Sequence, residues 1–457
     1  RAFLLFLVLN FTINMSAQNA DDRYRPKPYV ELKNPDWVKN GTLYELNIRQ
    51  FSAEGTFKAV EKDLPRLKKM GIDIIWLMPI NPIGEVNRKG TLGSYYSVKD
   101  YLDVNPEFGT KEDFRNFVQT IHAQGMKVII DWVANHSSWD NPLATQHPEW
   151  YRRGRDGKFV STPWRDYDDI IEFDYNQPGL RKYMTEALKF WVKEFNIDGY
   201  RCDVADFVPP DFWENARAEL EEIKPVFLLA EAENRELHRK AFDATYAWSL
   251  WNAIHGIATG RTALSPLTEG YITEHITVFP KEAIRVNFTE NHDKNSWEDT
   301  QYKNFGQSLE AMMVLMTVMD GMPLVYNGQE AGLDRSLKFF ERDPINWKAH
   351  HNAEIYTKLF NLKHKNQALW NGRWGGEMER LPNDHMDKVI SFVREKNGDK
   401  VIAVLNLSKE TVQVNIPTPY DSGKYQNLFS KGSFPVEKSL KLTMKPWEYL
   451  VLHNSKF

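Results

Sequence analysis

The sequence predicts a TIM-type (β/α)8 barrel with a short inserted subdomain after its third strand and a C-terminal antiparallel β-sandwich. Three observations carry that expectation. Eight short apolar runs, near residues 43, 74, 129, 200, 228, 244, 286 and 325, alternate with segments of helical periodicity. The rhythm breaks once, between His136 and Asp174, and after about Asn371 it gives way to short alternating runs. A chain of 457 residues exceeds the roughly 250 to 300 over which a single core grows, so a large domain and a smaller one are expected.

The elements follow in order. TLYELNI is a strand, VEKDLPRLKKMG a helix stopped by Gly71, and IDIIWLMP the second strand. In DFRNFVQTIHAQG, Phe114, Phe117 and Ile121 share one helical face and Gly125 ends it, after which MKVIIDWVA is an almost unbroken apolar strand. Continuous rather than alternating runs belong to parallel strands covered on both faces. The insertion, 136–174, begins HSSWDNPLATQHPEW and is rich in Trp, Pro, Asp and Arg. Periodicity resumes with a helix from Leu180 to Phe195, then strand IDGYRCDVA, a helix from Phe212 to Lys224, and strands VFLLAEA, FDATYAW and Ile284 to Phe288. A helix from Gln307 to Met319, strand PLVYNG and a helix from Ala353 to His364 complete the barrel, which spans 21–370. An open doubly wound sheet is the competing arrangement, but no glycine-rich phosphate loop follows the first strand. Over 371–457, VISFV, VIAVLNL, VQVNI, SLKLTM and EYLVLHN are separated by Asn, Gly, Lys and Ser, as in a sandwich.

Residues 1–20, with a solid apolar run from Ala2 to Leu9 and small residues before Asp21, resemble a secretory signal, so export to the periplasm or the extracellular medium is expected. No other apolar run reaches about 18 residues, so no transmembrane segment is expected in the mature chain. A net charge of -4 opposes nucleic-acid binding. The single cysteine, Cys202, allows no intrachain disulfide and reads as a small buried hydrophobe; no His, Cys or Asp group has zinc spacing.

The chemistry is carried by three carboxylates, Asp203, Glu231 and Asp293, each at the end of an apolar run: GYRCD, FLLAE and VNFTENHD. A barrel gathers its strand carboxyl ends at one face and would bring the three together. Cleavage of a glycosidic bond needs one carboxylate to attack or stabilise the developing cation and one carboxylic acid to protonate the leaving oxygen. Neighbouring anions keep such an acid protonated near neutral pH. Composition alone does not assign the roles.

DWVANH, GYRCDVA, FLLAEA and FTENHD stand in the order and spacing of four short segments of the alpha-amylase family of retaining glycoside hydrolases (glycoside hydrolase family 13), which the chain resembles from Leu43 onward. WLMPI, SYYSVKDYLDVNPEFGT and PLVYNGQE fit the same family. The resemblance implies that Asp203 is the nucleophile, Glu231 the general acid and then base, and Asp293 the third carboxylate that binds sugar hydroxyls and tunes Glu231. Arg201 shares a strand face with Asp203 and would keep it ionised. By the same resemblance His136 and His292 bond hydroxyls of the sugar in the cleaved subsite, Tyr96 stacks beneath it, with Tyr95 as the neighbouring register, and Asp131 is a supporting anchor. Trp248 and Trp347, with Trp139, Trp164 and Trp297, lie in loops after strands where they could line glucose subsites.

Asn135 matches the family asparagine that ligates calcium, but Asp206 and Phe207 stand where the pattern carries Lys and His, and the Lys contact to a neighbouring sugar is lost. Asp166, Asp168 and Asp169 are alternative oxygen donors, so calcium stays open; no organic cofactor is implied. The implied activity is that of an endo-acting alpha-amylase on α-1,4 bonds of starch, maltooligosaccharides or related alpha-glucans. Neopullulanases, cyclomaltodextrinases, alpha-glucosidases and transglycosylases use the same residues. A glucan-binding protein without catalysis would have shed a carboxylate, and this chain keeps all three.

Overall fold

Eight strands, each buried along almost its whole length, close into a parallel barrel in the computed structural model, which describes residues 27–161, 167–418 and 421–455. The signal reading of residues 1–20, and with it Trp164 and Asp166, lies outside those residues. The strands are β1 (Leu43–Leu46), β2 (Ile74–Leu77), β3 (Lys127–Trp132), β6 (Gly199–Cys202), β7 (Phe227–Ala230), β8 (Ala244–Tyr246), β9 (Ile284–Asn287) and β10 (Met322–Tyr326), in the ring order β1-β10-β9-β8-β7-β6-β3-β2. All are runs read as strands from the sequence, because burial on both faces leaves an unbroken apolar signature.

Helices cover the outside. Lys111–Ala123 opens with a capping box between Thr110 and Asp113 and buries Phe114, Phe117, Val118 and Ile121. Pro178–Phe195 stops where Asn196 turns left-handed at φ 57°. The helices Trp248–Thr259 and Ile272–Thr277 were not among the sequence expectations. The first is flanked by apolar contacts on several sides, so it carries little of the one-faced periodicity by which a surface helix is read.

The insertion pairs β4 (His136–Ser138) with β5 (Ile170–Glu172) in an antiparallel ribbon, with a short helix Pro142–Gln146 between them. Because β4 starts four residues after β3 ends, the ribbon stands at the carboxyl-terminal mouth of the barrel. The C-terminal domain comprises β11 (Met378–Arg380), β12 (Val389–Lys396), β13 (Asp399–Asn406), β14 (Val412–Pro417), β15 (Gly423–Asn427), β16 (Ser433–Val436), β17 (Ser439–Met444) and β18 (Tyr449–His453). They form a six-stranded antiparallel sheet, β11-β12-β13-β18-β15-β16, faced by the ribbon β14-β17 across a core that includes Val389, Ile402, Val414 and Leu452. The strands β15 and β16 escaped the sequence reading because GKYQN and SFPV are polar or proline-bearing and mostly exposed. The two domains meet over Arg394 of β12, a wholly buried cation that donates to the carbonyls of Met319 at 2.7 Å and Gly376 at 2.9 Å.

Gly199 opens β6, the strand that leads into Asp203. Its φ is 151°, and a Cβ there would sit 1.9 Å from the Phe227 carbonyl oxygen on β7. Gly199→Ala should therefore destabilise the protein by on the order of 3 kcal/mol, read from the urea midpoint; a loss under about 1 kcal/mol would contradict this packing.

Candidate active site

Arg201 stands at the centre of the site. Strand period 2 puts it on the same face of β6 as Asp203, pointing into the barrel, where its side chain is 0% exposed. Its Nη1 donates to Asp131 Oδ1 at 2.9 Å and to Asp203 Oδ1 at 2.9 Å, and its Nη2 lies 3.1 Å from Glu231 Oε2, close enough for an ion pair but without hydrogen-bond alignment. Burial works against the positive charge, but Asp131 and Glu231 hold it in place. Wholly buried, Arg201 reaches the carboxylates from below and orders them.

Those carboxylates differ in environment. Burial pushes Asp203 up to about 6, opposed by Arg201 and reinforced by Asp131. Burial pushes Glu231 further, to about 7, again opposed by Arg201 and reinforced by Asp203 and Asp293. Glu231 thus holds its proton to higher pH than Asp203, as an acid beside a nucleophile must. Asp293 is the most exposed of the three and faces His292 Nε2 at 3.5 Å.

The two imidazoles are in opposite states. Burial drives His136 down to about 4, so it is neutral. Asn135 Nδ2 donates to its Nδ1 at 3.2 Å, which leaves the hydrogen on Nε2, 4.0 Å from Asp203 Oδ2. Burial would lower His292 too, but Asp293 and Glu45 raise it to about 9. As a cation it donates from Nδ1 to Glu45 and from Nε2 to the Tyr96 hydroxyl at 2.9 Å, and that hydroxyl donates to Asp131 Oδ2 at 3.1 Å. Asp131 also accepts from Trp76 Nε1 at 3.2 Å. A single chain of hydrogen bonds therefore runs from Glu45 on β1 to Arg201 on β6.

Tyr96, not Tyr95, belongs to the site. Its ring stacks on His292 with centroids 5.4 Å apart, whereas Tyr95 is buried under the Arg49 guanidinium at 4.2 Å. Trp248 stacks on Tyr246 at 4.9 Å, and Tyr246 in turn faces Arg201 at 5.8 Å. Trp347 is not brought to the carboxylates: its ring packs on Phe51 at 4.6 Å and under Arg66 at 4.7 Å, and its Nε1 donates to the Phe51 carbonyl at 2.6 Å. Trp139 donates to the Asp168 carbonyl at 2.8 Å. Trp297, 58% exposed, meets Phe339 at 5.3 Å, and Phe339 lies parallel to Tyr96 at 6.2 Å. Phe207, 50% exposed, sits four residues past Asp203. Glu45, Trp76, Tyr246 and Phe339 were missed from the sequence; of these Glu45 alone carried a signal, a charge inside the apolar run TLYELNI.

Asn135 lies among carbonyls that protein donors already engage. The Tyr101 hydroxyl lies 2.8 and 2.6 Å from the Val133 and His136 carbonyls and shares its one hydrogen between them, the Ala134 carbonyl accepts that of Tyr175 at 2.8 Å, and the Asn135 carbonyl accepts the Phe173 N–H at 3.0 Å. Calcium takes six to eight oxygens, so an ion held here would draw on the Asn135 side-chain oxygen and on these carbonyls. Among the described residues no group of three His, Cys, Asp or Glu side chains converges as a metal site, and Asp168 and Asp169 face Lys89 at 3.3 and 3.9 Å.

Residues 34–375 match the family model described as alpha amylase, catalytic domain, and residues 378–451 match that described as maltogenic amylase, C-terminal domain. A solved noncanonic maltogenic alpha-amylase from Thermotoga neapolitana is 32% identical, with a TM-score of 0.82 over 92% of this chain and 100% of that one. An alpha-amylase from Lactobacillus plantarum is 30% identical, with a TM-score of 0.81 over 91% and 99%. An alpha-amylase from Haloarcula japonica is 26% identical over 88% of this chain and 61% of its own length, so this chain spans under two thirds of that relative.

Two predictions follow from the geometry. The carboxylate pair should give a bell-shaped kcat/KM whose two limbs belong to the pair and lie above the ordinary carboxylate range, because burial raises both groups; a rate flat from about pH 5 to about 8 would contradict it. Trp248→Ala should raise KM by about five- to tenfold, whereas Trp347→Ala should leave KM unchanged and cost about 2 to 3 kcal/mol of stability. Equal effects of the two on KM would refute their placement.

Proposed function

The chain belongs to the alpha-amylase family of retaining glycoside hydrolases, and from that premise we propose that it is an endo-acting alpha-amylase cleaving α-1,4 bonds of starch-like glucans with net retention. The observation that carries the reading is one guanidinium with Asp203 on one terminal nitrogen and Glu231 beside the other, next to the cation His292.

In the first half-reaction Glu231 gives its proton to the glycosidic oxygen while Asp203 attacks the anomeric carbon; the old C–O bond breaks and a covalent glycosyl ester forms. Arg201 occupies Asp203 Oδ1, so Oδ2, the oxygen facing His136, is the attacking atom. In the second half-reaction the Glu231 carboxylate takes a proton from water, whose oxygen displaces Asp203; two inversions leave the configuration unchanged. Neutral His136 donates from Nε2 to a sugar hydroxyl, Asp293 accepts from others, and Tyr96 offers its ring to the apolar sugar face.

Endo action is supported by exposed aromatics on two separate loops, Phe207 after β6 and Trp297 after β9, which suit sugar contacts on both sides of the cut. A second reading, short-product maltogenic cleavage, is favoured by the match of residues 378–451 to a maltogenic amylase C-terminal domain. The apolar run Ala2–Leu9 supports export, hence an external glucan as substrate.

The time course of products from amylose, cyclodextrin and pullulan, with anomeric configuration followed by NMR, separates these readings. Mixed maltooligosaccharides of α configuration should appear first from amylose; maltose alone from the start would shift the assignment to the maltogenic reading, and β products would overturn the mechanism. Glu231→Gln should lower kcat on amylose by about a thousandfold at unchanged stability, and near-normal turnover would sink its role as acid.

A further inference from the structure

Asp203 is followed by a residue in a conformation its side chain resists. Val204 has φ 36° and ψ 50°, in the left-handed region, where a β-branched side chain is a genuine outlier. The other non-glycine residues with positive φ among those described are Asn, Asp or Trp, so Val204 is the one branched residue placed there.

The turn redirects one hydrogen. The parallel ladder still holds at Asp203, whose N–H donates to the Trp132 carbonyl at 3.0 Å, and at Glu231, whose N–H donates to the Cys202 carbonyl at 3.0 Å. Continued by one step, that ladder would aim the Val204 N–H at the main chain of residue 231. Instead it donates to the Glu231 side chain, to Oε2, at 2.8 Å. Arg201 Nη2 stands 3.1 Å from the same oxygen. Two positive groups thus converge on Oε2, while neither is recorded against Oε1.

We propose that the Val204 main-chain amide is a positioning group that reserves Oε2 of Glu231 for negative charge and leaves Oε1 as the atom that gives and takes the proton. The inference rests on the reading of Glu231 as the acid. As the glycosidic bond breaks, the proton on Oε1 passes to the leaving oxygen and the O–H electron pair stays on Glu231. The charge so formed settles on Oε2, where the Val204 N–H already points and the Arg201 charge already stands 3.1 Å away, so no reorganisation accompanies the transfer. A charge that appears only as the proton leaves is met by a donor that strengthens only then, which is the condition for raising kcat. The left-handed turn at residue 204 is what aims that donor, and the branched side chain is carried there at a cost.

The test replaces Val204 by its α-hydroxy acid, 2-hydroxyisovalerate, in the full-length protein, exchanging the N–H for an ester oxygen and keeping the side chain. On amylose kcat/KM should fall about tenfold, the worth of a hydrogen bond to a charged group. The descending limb of its pH profile should move up by about one unit, because the ionised acid has lost a donor. On α-maltosyl fluoride, whose leaving group needs no proton, kcat/KM, which reports only formation of the glycosyl ester, should stay within about twofold. Val204→Gly keeps the donor and removes the branched side chain, so any change it brings should fall on the two substrates by the same factor. For the main-chain ester, equal loss on the two substrates or an unmoved pH limb would overturn the proposal, as would a Val204→Gly loss confined to amylose. Glu231→Gln, read by kcat/KM on the same two substrates so that only formation of the glycosyl ester counts, separates the two levels: if it too slows both equally, the acid assignment fails, and if it spares the fluoride while the main-chain ester does not, only the role of Val204 fails.

Discussion

A guanidinium with no exposed surface is the constraint on which the rest of this site depends. Arg201 has been taken out of water entirely, and such a charge is tolerable only if neighbours replace its hydration. Asp131 and Asp203 do so through hydrogen bonds, Glu231 through charge, and the rings of Trp76, Tyr96 and Tyr246 at 5.1 to 5.8 Å through their faces. The requirement runs both ways. Carboxylates this deeply buried would otherwise be pushed to protonation, and Arg201 keeps Asp203 available as an anion while crowding from Asp203 and Asp293 leaves Glu231 protonated to higher pH.

The barrel is what makes that compensation achievable. Strands β3, β6 and β7 are direct neighbours, so Asp131 and Arg201 arrive at one level, and Asp203 and Glu231, each the residue after its strand, emerge side by side two residues further along. His292 and His136, by contrast, follow strand ends on short extensions, and each is steadied by hydrogen-bonded companions: His292 by Glu45 and Tyr96, His136 by Asn135. Opposite charge states of two imidazoles in one cavity follow from those companions. Carboxylates surround His292, whereas the partner of His136 is a neutral amide.

The legibility of this arrangement in the sequence tracks how local each cause is. Parallel strands buried on both faces print continuous apolar runs, so all eight were readable, and a carboxylate ending such a run was conspicuous. Glu45 broke the run TLYELNI and could have been read as a buried charge needing a partner, but the partner, His292, is 247 residues away. Phe339 had no local mark, because it reaches Tyr96 only through the course of the loop after β10. Trp248 and Trp347 looked alike, each a tryptophan beyond a strand; which way each ring faces is decided by Tyr246 in one case and by Phe51 and Arg66 in the other. Val204 was invisible for a different reason. Its φ is imposed by the turn and runs against what its own side chain prefers.

The central claim is that Arg201 prepares Asp203, and not Asp293 or Glu231, to bond the sugar. Incubation of the protein with 5-fluoro-α-D-glucosyl fluoride, followed by intact mass measurement and peptide mapping, tests it most directly, because the fluorine slows release of the glycosyl ester. The account predicts one hexosyl adduct per chain, on the peptide carrying Asp203. An adduct on Asp293 or Glu231, or turnover of the fluoride to a β product with no adduct at all, would contradict it.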